Sequence, residues 1–125
     1  MTGIFFVAGK PVGQGALTTI NRRTFHSNDK DLIPWRRLVA ITARNAGIKP
    51  MDGPVGMRLR FTLPRPKSVK RDYPTVAPDL DHYIRAIFDA LSGVAYKDDS
   101  AVVSVSAHKV YGEPVGVEIR LRPVF

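Results

Sequence analysis

A chain of 125 residues makes one domain, long enough to bury a real core. Its 44% hydrophobic and 24% charged content are those of an ordinary globular protein, and no apolar run approaches the ~20 residues of a membrane span. The net charge of +8 makes nucleic acid the expected partner, and the lack of cysteine excludes disulfides and cysteine-based zinc sites. An anionic membrane surface competes for that charge. It wants a basic amphipathic helix, whereas the cations here fall mostly on strands and loops. Met1 to Gly9 has no basic, apolar leader, so a cytoplasmic protein is expected.

Ile4 to Ala8 is a short apolar run, read as a buried strand, and Lys10 to Gly15 is a loop by its glycines and proline. From Ala16 to Phe25 the pattern is ambiguous: Thr18, Thr19 and Ile20 favour extended chain, and Asn21-Arg22-Arg23 a turn. Ser27, Asn28, Asp29 and Asp31 are all candidate N-caps for a first helix. Pro34 suits its first turn, and Gly47 and Pro50 end it. Trp35, Leu38, Val39, Thr42, Ala43 and Ala46 share one face, with Arg36, Arg37 and Arg44 pointing outward.

Val55 to Leu63 alternates, placing Val55, Met57, Leu59, Phe61 and Leu63 on one side and Arg58 and Arg60 on the other. It is a half-buried strand with a basic outer face. Pro64 to Pro78 has four prolines, four cations and no periodicity, and reads as a mobile basic arm. A second helix runs from about Leu80 to Leu91, with Leu80, Ile84, Ile87, Phe88 and Leu91 spaced near the helical period and Gly93 as its stop. Val102 to Val110 and Val115 to Leu121 both alternate. Joined through Gly112-Glu113-Pro114, they read as a hairpin. No repeat or linker divides the chain.

The chemistry gathers at the start of the second helix. Asp79 and Asp81, two residues apart in extended chain, lie on one side and could bridge a hard cation such as Mg²⁺. Taken singly, either is a good helix cap. Together with Asp98-Asp99 they suggest more. A helix from Asp81 to Leu91 rises ~15 Å. The chain from Gly93 to Asp99 can return up to ~20 Å, so three carboxylates can converge where bound metal relieves their repulsion. Taken as a continuous strand, 99–107 turns Asp99 toward the second helix and Asp98 away. Arg85 is either one rung of a surface charge ladder with Asp81 and Asp89, or a cation for the scissile phosphate that cannot shuttle a proton. His82 is an exposed first-turn residue, a general base or a phosphate contact. His26 and His108 lack partners at ligand spacing.

The run from Lys70 to Val105, with Pro78-Asp79-Leu80-Asp81 and then Asp89-Ala90-Leu91-Ser92-Gly93-Val94-Ala95-Tyr96-Lys97-Asp98-Asp99-Ser100-Ala101-Val102-Val103, resembles the RusA-type Holliday junction resolvases. The likeness extends more loosely to His26-Ser27 and Pro34-Trp35 upstream and to Lys109-Val110-Tyr111-Gly112 downstream. It implies an α+β fold, a small mixed sheet with two main helices on one face, which agrees with the element order above. It further implies a homodimeric endonuclease of phages and prophages that resolves four-way DNA junctions by paired nicks. The cofactor would be Mg²⁺, with Mn²⁺ able to substitute. The family's catalytic aspartates fall at Asp79, Asp81 and Asp99, and its lysine at Arg85, which keeps the charge and loses any proton transfer. The family usually has asparagine where His82 stands.

The expected activity is therefore metal-dependent phosphodiester hydrolysis on branched DNA in a bacterial cell or phage-infected host. Asp79, Asp81 and Asp99 are the expected metal ligands. Arg58, Arg60, Lys67, Lys70, Arg71 and Arg85 are the expected phosphate contacts. A non-catalytic basic DNA-binding protein is the alternative. A restriction-type nuclease needs an acid-x-Lys after its Pro-Asp, and 104–109 lacks the acid.

Overall fold

The alternation from Val55 to Leu63 builds the strand on which the sheet is centred. The computed structural model describes residues 3–15, 17–20, 22–26 and 28–124, with 17–20 and 23–26 described by their backbone. Its elements are β1 (Gly3–Ala8), β2 (Leu17–Ile20), β3 (Arg23–His26), α1 (Asp29–Asn45), β4 (Val55–Leu63), α2 (Leu80–Leu91), a 3-10 turn (Asp99–Ala101), β5 (Val102–Tyr111) and β6 (Gly116–Pro123). Four strands form one mixed sheet in the order β1-β6-β4-β5, and β2 and β3 form a separate antiparallel pair. Arg22, with φ 63, makes the turn of that pair.

β5 and β6 are not a hairpin. β4 lies between them, parallel to β5 and antiparallel to β6. A parallel neighbour needs a crossover, and α2 supplies it, so β4-α2-β5 is a βαβ unit. The turn residues 112–115 exist, but they carry the chain over the end of β4, where Gly112 N–H donates to Leu63 O at 3.1 Å. Crossing one intervening strand means ~9.6 Å, within reach of four residues.

The register sets the two faces. Phe5, Leu59 and Ile119 align on one side, as do Val7, Phe61 and Val117, and all six are buried. Leu32, Trp35, Val39 and Ala43 of α1 join the same core, with Tyr83, Ala86, Ile87, Ala90 and Leu91 of α2. The Tyr83 ring stacks on Phe61 with centroids 5.1 Å apart, a pairing worth about 0.5–1.5 kcal/mol beyond area burial. Among the described residues, the other face of the sheet has no covering layer. β1 is accordingly half-buried: Ile4 and Phe6 are exposed while Phe5 and Val7 are not.

Helix α1 begins earlier than Pro34 suggests, so the proline lies in the second turn, where Lys30 O loses its i+4 donor. Leu38 and Ala46 are exposed, and Leu32 takes the inward place. Arg36 does not point outward: its guanidinium is 3.9 Å from Asp89 on α2. Asn28 holds the N-cap position without capping. Its Oδ1 accepts from Gly15 N–H at 2.8 Å and its Nδ2 donates to Gly13 O at 2.7 Å, clamping the loop after β1. The α2 face rotates toward Tyr83, Ala86 and Ala90, leaving Leu80, Ile84 and Phe88 half-buried at its margin. At Gly93, φ +82 is a left-handed turn that costs glycine nothing.

Candidate active site

Asp79 is the N-cap of α2, in extended conformation, and its backbone oxygen accepts from the N–H groups of His82 and Tyr83. Its side chain makes no cap bond, so the carboxylate stays free of the helix. Asp81 lies within the first turn, and His82 follows. One ligand atom from each of Asp79, Asp81 and His82 lies within 4.8 Å of the others, and all three residues are exposed. Two carboxylates suit a hard cation such as Mg²⁺ or Mn²⁺ that keeps several waters, and the imidazole adds a borderline donor. The residues present fit a divalent ion.

The loop after β1 backs this turn. Gln14 N–H donates to His82 O at 3.0 Å. A Cβ on Gly13 would stand 2.8 Å from Pro78 Cβ and 3.2 Å from His82 Cβ, so only glycine permits this approach. Lys109, on the helix-covered face of β5, donates to the carbonyls of Val76 at 2.8 Å and Pro78 at 3.0 Å, immediately before Asp79.

Asp99 lies outside the group of three. The chain enters β5 through the 3-10 turn, so the parity argument from a continuous strand does not apply. The turn itself sends Asp99 toward α2, where Oδ2 is 3.7 Å from Arg85 Nη1. Asp98 caps the turn: its Oδ2 accepts from Ser100 Oγ at 2.7 Å and from Ser100 N at 3.4 Å. Those donors, the hydroxyl first, hold the Asp98 carboxyl below its ordinary value. Arg85 also approaches Asp89 at 3.7 Å, so it bridges two acids, neither of them Asp81. Burial, reinforced by Asp99, Asp89 and Asp98, pushes the Tyr96 phenol far up, and its hydroxyl donates to Phe88 O at 2.8 Å.

The loop after β4 is pinned rather than free. Arg65 donates to Val69 O at 3.3 Å and Arg71 O at 2.8 Å, and Arg71 Nε donates to Tyr111 Oη at 3.0 Å. Both guanidiniums lie near 6 Å from the Tyr111 ring centre, a cation–π clamp at the end of β5. Lys67, Lys70 and Arg71 remain exposed. Arg58 and Arg60 lie elsewhere, on the open face of the sheet, with the sheet between them and α2. Reading the sequence did not single out Lys109, Asn28 or Gln14. For Lys109 a signal existed: it shares strand parity with the inward Ala107.

No helix is long and apolar enough to cross a membrane, among the described residues. The chain is 35% identical, over 137 aligned positions, to the uncharacterized protein YqaN of Bacillus subtilis (strain 168), covering 96% of this chain and 95% of that one. The family model for endodeoxyribonuclease RusA matches residues 8–122. That span takes in the loop behind His82, the acidic turn of α2 and all four strands of the main sheet in whole or part, and the chain belongs to the RusA endodeoxyribonuclease family.

Proposed function

We propose that the protein is a Mg²⁺-dependent, structure-selective endonuclease that resolves four-way DNA junctions by paired symmetric nicks, working as a homodimer. The observation that carries this reading is the exposed group of Asp79, Asp81 and His82 on a strongly basic chain of this family. A divalent ion held there supplies water of lowered pKa and offsets charge on the phosphate. The water oxygen bonds to phosphorus and releases its proton to solvent, one P–O ester bond breaks, and the departing oxygen takes a proton from solvent.

In this chain Asp79 and Asp81 would hold the ion at the free end of α2, and Lys109 and Gln14 fix the turn that carries them. Arg85 meets the scissile phosphate. Its guanidinium pairs with Asp99 at 3.7 Å, so a phosphate that engaged Arg85 would leave the Asp99 carboxylate free to serve as a further ligand. Lys67, Lys70 and Arg71 hold the backbone of the same DNA segment. Two symmetric nicks need two such sites, and a two-fold dimer is the simplest way to provide them.

Incubating a labelled four-way junction with the protein tests the reading. Paired cuts with Mg²⁺ and none with EDTA are expected. Binding without cleavage under both conditions leaves a non-catalytic DNA-binding protein instead. Sedimentation should give a dimer at micromolar concentration. An active monomer defeats that part of the proposal.

A further inference from the structure

The uncovered face of the sheet has an organised charge pattern of its own. β4 and β6 pair so that Arg58 stands opposite Arg120, Gly56 opposite Arg122, and Arg60 opposite Glu118. Three successive rungs on one face therefore have four arginines and one acid. Glu118 is engaged by Arg120, whose Nε donates to Oε1 at 2.9 Å. Arg58, Arg60 and Arg122 have no ion pair among the described residues. Like charges directly opposite on a sheet destabilise it, so this band carries a local cost that a polyanion relieves. Polar side chains extend it: Ser106 lies beside Arg58 and His108 beside Arg60 on β5. Hollows of about 330 and 340 Å³ open between the arginine side chains.

The position of the band matters as much as its charge. Asp79 and Asp81 project from the helix layer, and the arginines leave the opposite side of the sheet. A straight duplex resting on one side cannot also lie along the other. Branched DNA has diverging arms and can meet both. We infer that the open sheet face is a second DNA-binding surface, taking the phosphate backbone of a duplex arm other than the one held at the carboxylates. It rests on the proposed function for its choice of polyanion. A second copy of the chain is a poorer occupant, because a two-fold contact through this face sets the arginine rows against themselves.

The test is the double variant Arg120→Ala/Arg122→Ala, bound to a four-way junction and to a linear duplex in Ca²⁺ over a salt series. Folding is checked by circular dichroism and mass by sedimentation. Junction affinity should fall about tenfold or more, and the log–log salt slope should become shallower by roughly 1.8, for two phosphates released. Duplex affinity should change much less, so that the preference for the junction shrinks. Unchanged junction binding overturns the inference, as does an equal loss on both DNAs or a change in oligomeric mass without loss of affinity. Arg122→Gln is read in the same way where the double variant does not fold. A wild-type protein that binds junctions through this face but never cuts them sinks the nuclease reading and leaves the inference standing. One that cuts them, beside variants that bind normally, does the reverse.

Discussion

Lys109 and Pro78 tie the end of β5 to the entry of α2: the ammonium donates to the Pro78 carbonyl at 3.0 Å, and to Val76 at 2.8 Å beside it. Asp79 is the next residue along. Charge-assisted bonds of this kind contribute about 1.5–3 kcal/mol each when shielded, and less here because they are exposed. Lys109→Met should leave the fold intact, lower the rate of cleavage roughly tenfold and raise the Mg²⁺ concentration needed for half activity. Lys109→Arg should recover part of both. A variant that loses only DNA affinity, with its metal requirement unchanged, shows that Lys109 is a phosphate contact and not a positioning residue.

Asp79→Asn and Asp81→Asn should each cut more than ~100-fold more slowly, since the metal supplies several kcal/mol and each ~1.4 kcal/mol is a factor of ten. Both should still bind junctions. Asp99→Asn should be as inactive as Asp81→Asn, whereas Asp98→Asn should keep substantial activity, because its carboxylate is committed to Ser100. Single-turnover nicking assays decide it. A dead Asp98 variant beside an active Asp99 variant reverses the assignment.

If Arg85 withholds Asp99 from the ion until a phosphate arrives, its removal should separate binding from cleavage. Arg85→Met should bind Mn²⁺ more tightly than the wild type in the absence of DNA, yet cleave more slowly. Arg85→Lys, which keeps the charge, should cleave at least as well as the wild type. Mn²⁺ titration followed by electron paramagnetic resonance measures the first effect. Equal affinity in the wild type and Arg85→Met would remove the coupling.

The Asp98 carboxyl should titrate below 3.8, and Ser100→Ala should bring it back toward that value. A depressed folded value means that its contribution to stability is present above 3.8 and lost as pH falls through the folded value. Side-chain carbon shifts followed against pH measure both. An Asp98 that titrates normally in the wild type removes the capping account of this turn.

Much of this site was open to reading because its residues are adjacent in the chain. Asp79, Asp81 and His82 belong to one helical turn, so local spacing brings them together. The α2 stop at Gly93 and the inward face of β4 were legible for the same reason. What failed depended on long-range pairing. Gly112-Glu113-Pro114 is a turn signal in any context, and nothing local says whether the next strand lies beside β5 or one place further over. Strand parity misjudged the approach to Asp99 because a 3-10 turn intervenes, although the residue still ends beside α2. The loop after β4 reads as a free arm because its anchors, Lys109 and Tyr111, lie more than thirty residues away.

The last described strand in chain order is an interior strand. β6 sits between β1, at the start of the chain, and β4, in its middle, and pairs with both. Until β6 is in place, β1 has no partner in the main sheet and one edge of β4 is bare, among the described strands. Without β6 the chain can form α1, α2 and the β4-β5 pair, but it cannot close its core. Deleting part of β6 should therefore do more harm than the number of residues suggests, yielding a partly assembled, aggregation-prone chain instead of a slightly weakened nuclease.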